Sequence, residues 1–179
     1  QAMTELVDHW NEVQAPYLEQ IERAKASGAL DLSAVKGMPD VESRRAAVKQ
    51  LRDANTELTA RIKGATTFMR ASLQAKGMRA ERIAAILPGL APASAKVAPV
   101  LKIRAYDDQM WANIDECLAI LERHPQSWSF EDGQTAFSDD ALLVRYNNIV
   151  QRIQEIGEAQ VELQKSMFQG PAQSSPASP

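Results

Sequence analysis

Cysteine and histidine are scarce in this chain of 179 residues, which contains one cysteine, Cys117, and two histidines. A single cysteine cannot form an internal disulfide, a CxxC redox pair or a thiolate zinc site. Two histidines are too few for the ligand sets of most histidine-based metal enzymes. We therefore expect neither a cofactor nor a metal site.

The sequence also lacks the motifs of common enzymes and any long hydrophobic run. It contains no G-x-S-x-G nucleophile elbow, no GxxxxGK[ST] phosphate loop and no GxGxxG dinucleotide fingerprint. No apolar run approaches the roughly 18 residues that would indicate a membrane span. These absences predict a protein that is not an enzyme and has no transmembrane segment.

Apolar residues recur with helical spacing along most of the chain. The clearest line, in steps of three and four, consists of Leu142, Tyr146, Ile149, Ile153, Ile156, Gln160, Leu163 and Met167. Similar lines run through residues 6–24, 48–69 and 100–121, and each predicts a long amphipathic helix. Loops of intermediate length favour antiparallel neighbours. The fold class is therefore predicted to be all-α, an elongated up-and-down antiparallel bundle of four long helices, with one short extra helix and a small β-hairpin in the last connection.

The predicted domain organisation is a single helical-bundle domain over residues 1–169, followed by a tail over residues 170–179. The tail is rich in proline, serine and alanine and has no large apolar residue that could anchor it. Segments of this composition cannot bury enough apolar surface to fold, so we expect the tail to be disordered.

An Asp132-Gly133 pair lies between alternating segments just before the last predicted helix, and this pattern predicts a two-residue β-hairpin. The predicted register places Trp128 opposite Phe137. We expect these two aromatic side chains on one face of the hairpin and Phe130 on the other. Two roles are open: the three aromatic side chains plug the end of the bundle, or Phe130 anchors a partner from an exposed face.

Three polar residues, Asn55, Asp107 and Gln160, interrupt the apolar lines of separate helices. One buried polar residue in a helix commonly fixes the register and orientation of packed helices. We therefore interpret these three as candidate buried polar register residues. A metal role for Asp107 is disfavoured because the Glu-x-x-His motif of di-iron bundles does not occur. A small ligand pocket around Asp107 is a further alternative.

Charge is distributed unevenly along the chain. Residues 44–104 contain 13 basic and three acidic residues, whereas the remaining residues contain seven basic and 20 acidic ones. Such asymmetry requires an explanation. One interpretation is internal pairing, in which acids of the first helix, such as Glu12 and Glu19, face basic residues of the second, such as Arg45 and Arg52.

An exposed basic surface is the second interpretation of this asymmetry. Four basic residues have no obvious acidic mates in the sequence and are the better candidates for such a patch: Arg79, Arg82, Lys96 and Lys102. A basic surface would bind nucleic acid or an anionic membrane through the segment 44–104. Nucleic acid is the less favoured of these two, because the segment lacks the interleaved aromatic residues that stack on single strands.

Helix pairs, a Trp-containing hairpin and a capped final helix together resemble small exported helical proteins of bacteria. This resemblance implies an extracytoplasmic, periplasmic location, with the cytoplasm as the alternative, and it assigns no site residue. Without an enzyme motif, we expect a non-enzymatic protein that acts through protein–protein interaction. Its candidate partner surface consists of Trp128, Phe130, Phe137, Arg79, Arg82, Lys96 and Lys102.

Overall fold

The computed structural model describes residues 2–86 and 97–168, with the side chains of residues 12–85 and 97–167. The helices are α1 (Ala2–Ala26), α2 (Met38–Ala75), α3 (Ala80–Ile86), α4 (Val97–Arg123) and α5 (Asp140–Phe168). A 3₁₀ turn spans Leu32–Ala34, and the hairpin strands are β1 (Trp128–Glu131) and β2 (Gln134–Phe137). The predicted all-α fold with a small hairpin in the last connection is confirmed. The predicted tail over residues 170–179 lies outside the described residues.

The ends of the long helices have local causes in the sequence. Gly28 and Gly77 lie two residues beyond α1 and α2 and adopt positive φ angles of 69° and 79°. Glycine reaches this left-handed conformation at little cost and so ends a helix readily. At the start of α5, the Asp139 carboxylate accepts hydrogen bonds from the backbone amides of Ala141 and Leu142 at 2.8 and 3.1 Å. Asp139 thereby caps two amides that would otherwise lack a partner.

The four long helices pack in the order α1, α2, α4 and α5, and each is antiparallel to the next. Between α1 and α2, Ala24 shares a core cluster with Val41, whereas Val13 shares one with Ile62. The other two interfaces are marked by the residue pairs Arg45–Glu122, Asn55–Arg104, Glu116–Arg145 and Asp107–Gln160. In each interface the residue numbers rise along one helix as they fall along its neighbour.

Two clusters of buried side chains fill the bundle. The large core lies at the end that carries the 3₁₀ turn and the hairpin, which we call the hairpin end. Its fully buried members include Val35, Val41, Val48, Leu51, Cys117, Leu118, Leu121 and Ile149. The small core lies farther along the helices and consists of Val13, Tyr17, Leu58 and Ile62. The bundle is therefore packed much more deeply at one end than toward the other.

The hairpin has the predicted turn and register. Its two strands are antiparallel, and Trp128 lies opposite Phe137. Asp132 and Gly133 both adopt positive φ angles, 49° and 83°. Both central residues of a type I′ turn require such angles, which is why the Asp-Gly pair specifies a two-residue connection.

The predicted orientation of Phe130 is wrong. Phe130 lies opposite Thr135, two residues along β1 from Trp128. Side chains of a strand alternate between its faces, so residues two apart point to the same side. Trp128 and Phe130 are accordingly both half-buried, whereas Ser129 and Glu131 are exposed. Phe130 therefore shares the inward face of the hairpin with the other two aromatic residues.

Arg44 anchors the connection between α1 and α2. Its Nη1 donates hydrogen bonds to the carbonyls of Gly28, at 2.6 Å, and Asp31, and its Nη2 donates to the carbonyl of Ala34 at 3.0 Å. Its Nε donates to the Asp40 carboxylate at 2.9 Å. The side chain is buried, so the guanidinium takes the place of water for these carbonyls. One arginine thus holds an otherwise irregular loop against the large core.

Candidate functional site

Asp107 is the centre of a buried polar cluster between α1, α4 and α5. Its Oδ2 accepts a hydrogen bond from the Tyr17 hydroxyl at 2.9 Å, and its Oδ1 accepts one from Gln160 Nε2 at 2.8 Å. The Arg104 guanidinium lies 3.0 Å from Oδ2 and compensates the negative charge. Both carboxylate oxygens are therefore satisfied by the protein itself, as burial of a carboxylate requires.

Tyr17 connects this cluster to Trp111 and packs against the Arg104 guanidinium. Trp111 Nε1 donates a hydrogen bond to the Tyr17 hydroxyl at 3.1 Å, and the Arg104 guanidinium lies 4.7 Å from the centroid of the Tyr17 ring. Burial, followed by the neighbouring Asp107 carboxylate, raises the pKa of Tyr17 far above its usual value. The phenol consequently stays protonated and continues to donate its hydrogen bond to Asp107.

Asn55 connects α2 to the same level of the bundle. It is buried, and its Nδ2 donates a hydrogen bond to the backbone carbonyl of Arg104 at 2.8 Å. The structure thus brings the three polar residues singled out in the sequence close together: Asp107 and half-buried Gln160 in direct contact, and Asn55 through Arg104. A shift of one helix by a turn would break these directional bonds, which is how such residues fix register. That role stays a prediction.

The polar cluster does not favour the alternative of a ligand pocket around Asp107, because protein groups already use both carboxylate oxygens. The sequence interpretation did not identify Tyr17, because it lies on an apolar line, or Trp111, because it lies beside one. The usable signal was their chemistry: a buried tyrosine or tryptophan normally finds a hydrogen-bond partner for its polar atom.

Basic residues of α2 pair with acidic residues of α4. Arg45 Nε lies 2.9 Å from Asp115 Oδ1, and Arg45 Nη1 also contacts Glu122. Arg52 Nε lies 3.5 Å from Asp108 Oδ1. The three acids recur every two turns, about seven residues, and so share one side of α4. This ladder of ion pairs runs along the outside of the α2–α4 interface.

The predicted pairing between the first two helices is wrong. Glu19 pairs with Arg23 one turn away in α1, and exposed Glu12 makes no ion pair within the part of the chain that the structure describes. The reason is the rotation of α2 about its axis. Its apolar line faces the interior of the bundle, between α1 and α4, and the side that carries Arg45 and Arg52 lies toward α4.

Farther along the chain, several basic residues lack acidic mates among the described residues. Four exposed side chains at the end of α2 and around α3 make no ion pair within residues 12–85 and 97–167: Lys63, Arg70, Arg79 and Arg82. Residues 62–86 contain one acid, Glu81. We call residues 63–82 the basic end. The charge asymmetry of the sequence therefore persists in the structure at this end of the molecule.

Of the other two predicted basic residues, the structure describes one, Lys102. Lys102 is exposed on α4, and its Nζ lies 5.8 Å from the centroid of the Tyr106 ring. Lys96 lies outside the described residues. Of the predicted basic patch, Arg79 and Arg82 thus belong to the basic end.

The three aromatic residues of the hairpin face the bundle. Trp128 Nε1 donates a hydrogen bond to the carbonyl of Leu121 at 2.9 Å, and the Phe137 and Tyr146 ring centroids are 5.0 Å apart. Trp128 and Phe137 pack against the large core, and Phe130 is half-buried on the same face. This geometry favours the plug over the exposed anchor.

Cys117 is fully buried in the large core, and burial raises the pKa of its thiol to about 12.

Among the described residues, no three His, Cys, Asp or Glu side chains are placed to hold a metal ion together. Over the same residues, no helix is both long and apolar enough to cross a membrane.

Comparison of the chain with protein-family models, with curated proteins and with solved structures finds no significant match. We therefore base the functional proposal on the placement of the charged and aromatic side chains.

Proposed function

We propose that the protein is a non-enzymatic helical bundle that binds a protein partner at its basic end. The contrast in charge pairing along α2 supports this proposal. All five basic residues of the segment 44–61 form ion pairs: Arg44, Arg45, Lys49, Arg52 and Arg61. Four exposed cations of the basic end, Lys63, Arg70, Arg79 and Arg82, have no such mates within the described residues. An exposed group of like charges attracts and orients an oppositely charged surface.

The hairpin end is the less suitable surface for a partner. Its aromatic residues point inward, and Trp128 and Phe137 contribute to the large core. Anchoring a partner with these side chains would require them to leave the core, at a cost in stability. We therefore restrict the proposed partner surface to the basic end. Of the partner surface predicted from the sequence, it keeps Arg79 and Arg82.

An anionic membrane surface is the second candidate for the same site. A basic residue close to an anionic bilayer contributes about 1 kcal/mol to binding, so four unpaired cations would have a measurable effect. We rank nucleic acid below both, because Phe68 is the one aromatic residue in positions 62–86 and stacking on bases needs several.

Photo-crosslinking in the native cell tests the proposed function. We expect a photoreactive residue at Thr67 or Gln74, both exposed in the basic end, to form an adduct with a discrete protein. The same photoreactive residue at exposed Asn148 on α5 is the control, and it should give no such adduct. Equal adducts from all three positions, or an adduct from Asn148 alone, would contradict the proposal.

Charge reversal provides the matched comparison. The double substitution K63E/R70E should abolish the adduct from Gln74, since it replaces two unpaired cations by anions. The control R23E/K25E changes the net charge of the chain by the same amount on α1, where both residues are exposed. It should leave the adduct unchanged if the basic end, rather than total charge, attracts the partner.

A further inference from the structure

Four of the seven basic side chains of α2 form one straight row along the helix. An α-helix completes five turns in about 18 residues. Lys63 follows Arg45 by this interval, and Arg70 follows Arg52 by the same interval, so all four lie on one side of α2. Several positions between them on this side carry short hydroxyl side chains: Thr56, Thr59, Thr66 and Thr67.

The two halves of this row differ in what they face. Arg45 and Arg52 hold the acidic row of α4, which runs antiparallel to α2 and presents a carboxylate every two turns. The acidic row ends at Asp108, because the position two turns earlier in α4 is Leu101. Lys63 and Arg70 thus continue the basic row beyond the last acid that α4 provides.

We propose, on the basis of the proposed function, that Lys63 and Arg70 dock an acidic helix of the protein partner. The partner helix lies along α2 beside Lys63 and Arg70, as α4 lies along α2 beside Arg45 and Arg52. Its carboxylates, two turns apart, face the two cations. The α2–α4 pair is the precedent within the same molecule for this arrangement. Exposed ion pairs are individually weak, so the charges set the register of the partner helix and steer its approach.

A groove beside Lys63 accommodates the apolar side of such a helix. It runs between α2 and α4 and is lined in part by Thr56, Ala60, Leu101 and Ala105. Helices approach one another closely where the side chains between them are short, and side chains of one then fit between those of the other. Apolar side chains of the partner would contact Leu101 while its carboxylates reach the cations and the threonine hydroxyls.

The same features distinguish a helix from other anionic partners. The side of α2 that carries the row has threonines between its cations and no large apolar side chain to insert into a bilayer. It has no aromatic residue on which a base could stack. A linear row with fixed spacing matches the carboxylate spacing of a helix, which neither a bilayer nor a flexible strand reproduces.

A peptide that copies residues 105–123 of this chain is a defined probe, because it contains the acidic row of α4. Fluorescence anisotropy with the full-length protein should show binding of this peptide. The K63E/R70E variant should weaken binding by about tenfold or more, whereas the R23E/K25E control should not. A second peptide carries Asn, Asn and Gln in place of Asp108, Asp115 and Glu122. It should bind the unsubstituted protein as weakly as the native peptide binds K63E/R70E. Circular dichroism of both variants verifies that they remain folded.

Two results would overturn the inference. The first is no binding of the acidic peptide, and the second is binding that K63E/R70E leaves unchanged. If the peptide fails and K63E/R70E instead loses binding to vesicles with about one third anionic phospholipid, to an oligonucleotide or to a second copy of the chain, that ligand replaces the acidic helix. A protein adduct from Thr67 in cells together with a failed peptide would leave the proposed function standing and refute the acidic helix. Peptide binding without any adduct from the basic end would refute the proposed function instead.

Discussion

At the hairpin end, α2 and α4 bury Leu51 and Leu121 completely, whereas Phe68 and Val161 farther along the bundle are 53% and 49% exposed. The hairpin end has the 3₁₀ turn, the hairpin and the Arg44 anchor packed around its helices. The small core has helices alone around it within the described residues. The connections, more than the helices they join, thus determine where this bundle is packed most deeply.

Matched truncations in α2 should give the largest difference between the two cores. We expect Leu51→Ala, in the large core, to lower the free energy of unfolding by about 3–5 kcal/mol, and Leu58→Ala, in the small core, by about 2–3 kcal/mol. The loss is larger at Leu51 because its surroundings are held from several sides and cannot collapse into the cavity. Urea denaturation measures both values, and a larger loss for Leu58→Ala would reverse the comparison.

Removal of the loop anchor tests the contribution of the connections directly. Arg44→Met keeps most of the apolar stem but removes the hydrogen bonds that the guanidinium donates to three backbone carbonyls and to the Asp40 carboxylate. We expect the free energy of unfolding to fall by about 2–4 kcal/mol. Lys36→Met, an exposed position in the same loop, is the control and should change it by less than about 0.5 kcal/mol. Equal melting temperatures for both variants would show that the loop is not anchored by Arg44.

Alkaline pH should weaken the large core through Cys117. In the unfolded chain the thiol ionises from about pH 8.5, whereas in the folded protein its pKa is raised to about 12. Between these values the folded state binds the extra proton, so stability is retained at low pH and falls as pH rises, by about 1.4 kcal/mol per pH unit. Urea denaturation between pH 9 and pH 10 measures this slope. Cys117→Ala should remove this contribution and leave the smaller slope that buried Tyr17 and Tyr146 produce, since burial raises the pKa of both phenols as well. An unchanged slope in that variant would contradict the assignment.

The smallest expected effect separates the two halves of the basic row. Arg45→Ala loses contacts to Asp115 and Glu122 and should lower the free energy of unfolding by about 1 kcal/mol. Lys63→Ala has no ion pair to lose within the described residues and should change it by less than about 0.5 kcal/mol. Thermal denaturation at low salt resolves the two. A clear loss of stability for Lys63→Ala would mean that its charge serves the fold rather than a partner.

The sequence was sufficient where local patterns decide structure. Apolar spacing predicted the four long helices, and Asp132-Gly133 predicted the turn and pairing of the hairpin. The interruption of apolar lines identified Asn55 and Asp107, which the structure buries. Each of these features depends on residues within a few turns of one another, so no knowledge of the tertiary arrangement is needed.

The sequence was insufficient where the rotation of a helix decides contacts. Charge rows on α1 and α2 have compatible spacing, yet Arg45 lies on the α4 side because the apolar line of α2 faces the interior between α1 and α4. The anchor role of Arg44 was equally hidden, since its partners are backbone carbonyls that every residue carries. Phe130 is a different case: strand alternation alone assigns it to the same face as Trp128, and the prediction misapplied that rule.

The packing order of the long helices also determines how the chain reaches its structure. Each long helix contacts chiefly the long helix that precedes or follows it, so most pairings join neighbouring parts of the chain. Closing such loops costs little conformational entropy, and helical proteins with this low contact order fold within microseconds to milliseconds. During synthesis, α1 and α2 leave the ribosome first and can pair before α4 exists. Until α4 is made, the basic row of α2 is exposed along its whole length. The acids of α4 then pair with Arg45 and Arg52, whereas Lys63 and Arg70 stay exposed in the folded protein.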